Sequence, residues 1–285
     1  MGKLNEFILS IDQSTSGTKT ILVDHNGHLV CRQDLSHKQI TNSLGWIEHD
    51  PEEIWANTCE AARKVIITSG VSPEQIKAIA ISNQRETAVC WQRSTGKPLC
   101  NAITWQCARA TSVVEEIRTL ETEALVYSTT GLHLSPYFSA AKFFWMLKNV
   151  DGVYEAQQKK DICFGTIDAW LVFCMTGGSA FKTDVSNASR TQLLSLDTID
   201  WDDKMLGLFG IVKDSLPEVC ESNELYGYTD LGGIFDSPIP ICGVMGDSQA
   251  ALLGNGCLSP GEAKITLGTG TSVMVNIGSK RNFPD

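Results

Sequence analysis

The feature that most restricts the fold is a pattern that occurs twice, once near each end of the chain. Residues 9–24, "LSIDQSTSGTKTILVD", and 265–276, "ITLGTGTSVMVN", both read as an apolar strand, a turn rich in Ser, Thr and Gly, and a second apolar strand. A hairpin needs only two suitable residues at its tip. The turn Ser14-Thr15-Ser16-Gly17-Thr18 is longer and richer in hydroxyls than pairing demands. Such turns aim successive backbone N–H groups and hydroxyls at one point, which is how an anion such as phosphate is held; they also occur simply as turns. Lys19 adds a positive charge, and Asp12 ends the preceding strand, where a carboxylate can orient a hydrated Mg²⁺. Gly268-Thr269-Gly270-Thr271 is the second turn. Two such turns, nearly the whole chain apart, read as halves of one phosphate clamp. The G-x-x-x-x-G-K-[ST] loop is absent, which argues against a P-loop NTPase.

Between these ends the order is β-β-β-α-β, then a helical middle from about Ala108 to Phe209, then a strand feeding a helix. Asn26-Gly27 suits a tight hairpin turn, and the flanking His25 and His28 lack a third metal ligand. In "HDPEEIWANTCEAARKVIITSG", Asp50 suits an N-cap, Pro51 the first helical position, Glu53 a capping box, and Gly70 the end. Residues 76–82 and 87–91 read as strands.

Composition narrows the partners. The 285 residues suffice for about two domains. A formal charge of -10 argues against nucleic acid or an anionic membrane surface as partner. It does not exclude a small anion held by backbone N–H groups. The ten cysteines contain no C-x-x-C pair and mostly sit among apolar residues, which predicts reduced thiols. No stretch reaches the ~18 apolar residues of a membrane span. The start lacks a signal-peptide pattern, and Glu6 stands where a myristoylation signal wants Ser or Thr. The expected location is cytoplasmic.

Two places carry candidate chemistry. In "SNQRETAVCW", a short strand connection places Arg85 beside Glu86, although turns favour Gly, Asn, Asp or Pro. The pair is either a solvated surface pair or a ligand site. In "GVMGDSQAALLG", Asp247 lies where a strand ends and a helix starts. It can serve as N-cap, as a base at the carboxyl end of a strand that takes a proton from an attacking hydroxyl, or as both.

Together with "GWIEHDPEEIW", "NAITWQC", "PYFSAAK", "FGTIDAWL", "TDVSNASRT", "DWDDKML", "LPEV", "GDSQAALLG" and "GTGT", these residues resemble the FGGY family of carbohydrate kinases through nearly the whole chain, its glycerol-phosphorylating branch most closely. The resemblance implies an α/β, actin-like ATPase (ribonuclease H-like) fold, a mixed sheet with flanking helices, and two domains around a cleft. It implies ATP and Mg²⁺ as cofactors and a small polyol as substrate. Carried over by position, it makes Arg85, Glu86, Tyr137 and Asp247 polyol-binding, with Asp247 as general base. It sets Trp105 against the carbon side of the substrate, Thr15, Ser16, Gly17 and Lys19 at the first phosphate turn, Gly268 and Thr269 at the second, and Asp12 at the metal. Arg85 donates in a fixed fork while Glu86 accepts, which suits a triol.

The chain departs from that family in three respects. Ser248 stands where glycerol-specific members carry Gln in the polyol shell, which leaves room for a longer polyol or a ketose such as erythritol or xylulose. The first turn has Gly17 for a Ser, losing a hydroxyl, and Lys19 for an Arg. Family members are nearly twice as long, so residues 1–255 read as the N-terminal domain and 256–285 as the start of an incomplete second domain. A non-catalytic polyol-binding fragment is therefore an alternative. The closing apolar strands would leave an open edge, which favours association with a second copy.

Overall fold

The protein is described from a computed structural model covering residues 6–267 and 271–279. The strands that position the site are β1 (Phe7–Gln13), β2 (Gly17–Asp24), β3 (Leu29–Ser36), β4 (Ile76–Asn83), β5 (Val89–Gln92), β6 (Ile162–Gly165), β7 (Gly227–Thr229) and β8 (Ile239–Gly246). A closing pair is β9 (Ala263–Leu267) and β10 (Thr271–Val275). The helices that matter are α1 (Pro51–Ser69), α2 (Ser139–Asn149), α3 (Ile167–Met175), α4 (Val185–Ala188) and α5 (Asp247–Gly254).

Six strands form a central mixed sheet in the order β7-β8-β4-β1-β2-β3. The first three form an antiparallel meander because their turns are local. At Asn26-Gly27, Gly27 takes φ 81 and the Asp24 carboxylate accepts the N–H groups of Asn26 (2.8 Å) and His28 (2.9 Å). β4 and β8 run parallel to β1, and β4 lies between β1 and β8. A parallel neighbour requires a crossover, and α1 lies in the first one.

Burial alternates along β1, with Phe7, Leu9, Ile11 and Gln13 on the inner face. That face meets Ile54, Ala62, Val65 and Ile66 of α1 and Ala169, Trp170 and Val172 of α3 in one core. Each fully buried large side chain there stabilises the fold by roughly 1.5–3 kcal/mol. The Asp50 carboxylate accepts the Glu52 N–H (2.8 Å), and Gly70 ends α1 at φ 68. Glu53 closes no capping box. Its carboxylate accepts the Lys38 N–H instead (3.2 Å), which ties down the loop after β3. The Trp170 indole donates to the Pro51 carbonyl (2.9 Å), fastening α3 to the start of α1.

The middle of the chain is less purely helical than its pattern predicts. β6 lies inside it and pairs antiparallel with β5. A four-residue apolar run such as Ile-Cys-Phe-Gly has no periodicity to separate strand from helix. A second core forms here around Trp145, Phe143, Phe164, Leu206 and Phe209. All ten cysteines are free, with Cys242 exposed. Among the described residues no helix is long and apolar enough to cross a membrane. The pair β9–β10 joins no other strand among the described residues, and Ile265, Leu267, Val273 and Val275 are exposed on it.

Gly17 opens β2 where β3 comes close. A Cβ there would lie 2.4 Å from the Leu35 carbonyl oxygen, a backbone atom. Gly17→Ala is therefore expected to destabilise the chain by about 1–3 kcal/mol, read as a lower midpoint in urea unfolding with an unchanged slope.

Candidate active site

The three parallel strands end level with one another. Gln13 of β1 lies opposite Asn83 of β4, and Asn83 lies opposite Gly246 of β8. The residues that follow each strand therefore emerge together at the carboxyl edge of the sheet, where α/β proteins bind ligands. They are Ser14-Thr15-Ser16, Gln84-Arg85-Glu86 and Asp247.

After β4 the chain reverses within three residues. The Thr87 N–H donates to the Arg85 carbonyl (2.8 Å), and Glu86 between them has φ 61. This is a γ-turn of the rare positive-φ kind; a non-glycine residue there costs on the order of 1–3 kcal/mol, a strain that tends to cluster at functional sites. The reversal sends Arg85 and Glu86 to different partners. Arg85 Nε lies 3.1 Å from Asp247 Oδ1, an ion contact rather than an aligned hydrogen bond. Its Nη1 donates to Gln249 Oε1 (3.2 Å). Gly246 makes room for this, since a Cβ there would lie 2.6 Å from Arg85 Cδ. The Glu86 carboxylate, almost wholly buried, accepts from Arg190 Nε at 2.6 Å. The reading of Arg85-Glu86 as a solvated surface pair is excluded by this geometry.

Tyr137 and Trp105 complete the wall. Their rings meet edge to face at 6.0 Å. Trp105 donates from its backbone to Thr87 Oγ1 (3.1 Å) and from its indole to Thr15 Oγ1 (2.9 Å), so one residue ties the chain just after Arg85-Glu86 to the first hydroxyl turn. Burial, and next the nearby Glu86 charge, push the Tyr137 hydroxyl above its ordinary pKa. It remains a neutral donor and acceptor at neutral pH.

Asp247 heads α5 without capping it. Gly246 holds the N-cap position, and Asp247 Oδ1 accepts the Ser248 N–H (2.6 Å) beside its contact with Arg85. The carboxylate is 44% exposed and free to meet a ligand. Ser248 contributes this backbone N–H, and its neighbour Gln249 is the residue that reaches Arg85.

The first turn is shorter than the sequence suggests, because β2 resumes at Gly17. The glycine is required by the close approach of β3. The Ser14 N–H and hydroxyl both donate to the Gly17 carbonyl (2.9 and 2.8 Å). The backbone N–H groups of Thr15 and Ser16 donate to no acceptor among the described residues. They leave a short anion-facing edge of the kind a phosphate takes. Lys19 pairs with Asp12 across the ladder at 2.9 Å, each about 30% exposed. No group of three or more His, Cys, Asp or Glu among the described residues could hold a metal ion. A single carboxylate such as Asp12 fits Mg²⁺, which keeps most of its waters. Gly268 and Thr269 lie outside the described residues.

Four residues of this site are not evident from pattern alone: Gly246, Gln249, Lys142 and Arg190. All lie in motifs already noted, yet only packing shows what they touch. Arg190 follows α4, whose side chains bind both strand ends. The amides of Asn187 and Asn83 exchange two hydrogen bonds (2.9 and 3.0 Å), and the Gly246 N–H donates to Ser186 Oγ (2.8 Å).

Beneath the first turn lie two buried imidazoles, His37 and His49, edge to face at 4.5 Å. His37 Nε2 meets the Thr15 carbonyl at 2.9 Å, so that nitrogen carries the proton, because a carbonyl only accepts. Burial lowers both pKa values, that of His49 to about 4, helped by repulsion from His37.

Residues 7–254 match the FGGY family of carbohydrate kinases, N-terminal domain. Glycerol kinase 1 of Thermotoga maritima is 50% identical over 279 residues, which cover 98% of this chain and 56% of that protein. Glycerol kinase of Shigella flexneri is 43% identical over 275 residues, 96% of this chain and 55% of that protein. The crystal structure of Plasmodium falciparum glycerol kinase with ADP superposes with a TM-score of 0.91 at 36% identity, over 97% of this chain and 55% of that one. Xylulose kinase from Lactobacillus acidophilus, at 24% identity and a TM-score of 0.80 over 94% of this chain and 54% of that one, shares the fold. The chain spans about half the length of the curated relatives it matches.

Because His49 is held neutral when folded but titrates near 6.5 when unfolded, the unfolded chain takes up a proton that the folded chain refuses between these values. Its contribution to stability is complete above about pH 6.5 and is lost as pH falls towards 4, a change on the order of 2–3 kcal/mol. Urea unfolding across this range checks it, and His49→Gln is expected to flatten that part of the profile.

Proposed function

The chain belongs to the FGGY family of carbohydrate kinases, with its α/β, actin-like ATPase fold, and from this premise we propose that it forms the polyol-binding half of an ATP-dependent kinase that converts glycerol to glycerol 3-phosphate. The observation that carries the reading is the meeting of Arg85, Glu86 and Asp247 at level strand ends beside the Tyr137–Trp105 wall, with Arg85 held against Asp247 and Glu86 against Arg190. Arg85 donates to two hydroxyls of the triol, Glu86 accepts from one, and Trp105 packs on the carbon side. Asp247, exposed and fixed by Arg85, accepts the proton of the terminal hydroxyl as it attacks in line. ATP supplies the transferred phosphoryl group. Thr15, Ser16, Gly17 and Lys19 would face its phosphates, with Gly268 and Thr269 from the second turn, and Asp12 would hold Mg²⁺ through water.

Glycerol is preferred to erythritol or xylulose because the three relatives described above at 36–50% identity are named as glycerol kinases. Residues 1–255 are proposed as the first lobe and 256–285 as the beginning of the nucleotide lobe. The N-terminal family match ending at residue 254 and the exposed apolar faces of β9 and β10 support this boundary. A cytoplasmic setting fits ten free thiols.

Calorimetric titration of glycerol into the chain tests the site. Glycerol is expected to bind, Arg85→Ala to abolish the heat, and Gly246→Ala to weaken binding at least tenfold by displacing Arg85 without unfolding the chain. Absence of glycerol binding to folded wild-type chain would overturn the polyol assignment. In a form extended by a nucleotide lobe, Asp247→Asn is expected to abolish phosphorylation while glycerol still binds; retained turnover would remove Asp247 as base.

A further inference from the structure

Lys142, on the first turn of α2, is 0% exposed. A buried amine is costly unless it is well bonded, and an apolar side chain of similar size would fill the space at no such cost. What the amine gains here is specific. Its Nζ donates to the Glu86 carbonyl (3.2 Å) and to the Tyr137 carbonyl, and it lies 5.9 Å from the Tyr137 ring centre. Ser139 Oγ donates to the same Glu86 carbonyl (3.2 Å), filling its second lone pair. Both carbonyls belong to residues whose side chains line the polyol site. The Glu86 carbonyl also belongs to the residue at φ 61, so these two donors grip the strained turn itself.

We propose that Lys142 is a positioning residue of the polyol site, locking the strained turn at Glu86 and the Tyr137 loop at a fixed separation so that the two side chains face one small ligand. It acts through the backbone and does not touch substrate; the proposal rests on the polyol reading above. Burial lowers its pKa to about 7, a shift opposed by the Glu86 carboxylate and Cys107. Either protonation state serves, because a neutral amine still has two N–H donors for two carbonyls.

The test compares wild type with Lys142→Met by two measurements, glycerol affinity by calorimetry and exchange of the Thr87 amide, which closes the turn. Lys142→Met takes a donor from the Glu86 and Tyr137 carbonyls, so it is expected to fold with a modestly lower Tm, to lose at least tenfold in glycerol affinity, and to exchange the Thr87 amide at least tenfold faster. Faster exchange at Thr87 with the amides of β1 unchanged separates positioning from a merely structural role. Glycerol affinity within twofold of wild type, or unchanged Thr87 exchange, would overturn the proposal. If wild type binds no glycerol, the polyol reading fails, and Thr87 exchange alone judges Lys142. Should Lys142→Met not fold, Lys142→Gln, shorter but still a donor, carries the test. For Lys142→Gln a loss of glycerol affinity greater than twofold supports the proposal, and a value within twofold of wild type overturns it.

Discussion

The amide pair between Asn83 and Asn187 is the contact on which the site depends. Asn83 is the last residue of the central strand β4 and is wholly buried, as is its partner. Each buried amide left unpaired would cost about 1–3 kcal/mol, so the two hydrogen bonds hold α4 against the strand end. Asn187 also donates to the Asp184 carboxylate (2.7 Å), which in turn accepts the N–H groups of Ser186 and Asn187 and the Ser222 hydroxyl. From this one short segment, Ser186 reaches Gly246 and Arg190 reaches Glu86. Two strands distant in sequence thus have their ends tied to the same seven residues, 184–190.

Below it lies Asp168, wholly buried and held by the hydroxyls of Thr166 (2.5 Å) and Thr183 (2.6 Å). Burial, then the charge of Asp184, raise its pKa to about 6. A polar network in a low-dielectric interior is stable only when its members are satisfied. Here the hydroxyls, amides and backbone N–H groups supply the partners. The consequence is rigidity where the site needs it, at the carboxyl edge.

The charges of the site follow the same logic. Arg85 and Glu86 are adjacent but do not pair with each other; Arg85 faces Asp247 and Gln249, and Glu86 faces Arg190. Each charge is oriented in advance, so under the proposed function a polyol would meet donors and acceptors that are already ordered. On the same proposal, a ligand lacking a hydroxyl would forgo one of these preset hydrogen bonds, which would be the physical basis of discrimination. Lys142 contributes to the same preorganisation from below, through carbonyls alone.

How much of this could be read from the sequence depends on whether the cause is local. The strand–turn–strand at residues 9–24, the helix opened by Asp50-Pro51 and closed by Gly70, and the strand running into a helix at Asp247 were legible because turn chemistry, caps and periodicity act between near neighbours. That Arg85, Glu86, Tyr137, Trp105 and Asp247 share one neighbourhood was an expectation carried by motifs that resemble a known family. Other features were decided only by tertiary structure. Glu86 occupies a backbone region that its residue type disfavours, Gly17 is a glycine because Leu35 comes within reach, and Glu53 serves the loop after β3 instead of its own helix. Gly246, Gln249, Lys142 and Arg190 acquire their roles from side chains far away in sequence. The strip 162–165 became a strand because β5 was there to pair with it. Local residues determine which elements form; long-range packing determines which of their side chains meet, because each contact requires elements distant in sequence to be brought together first.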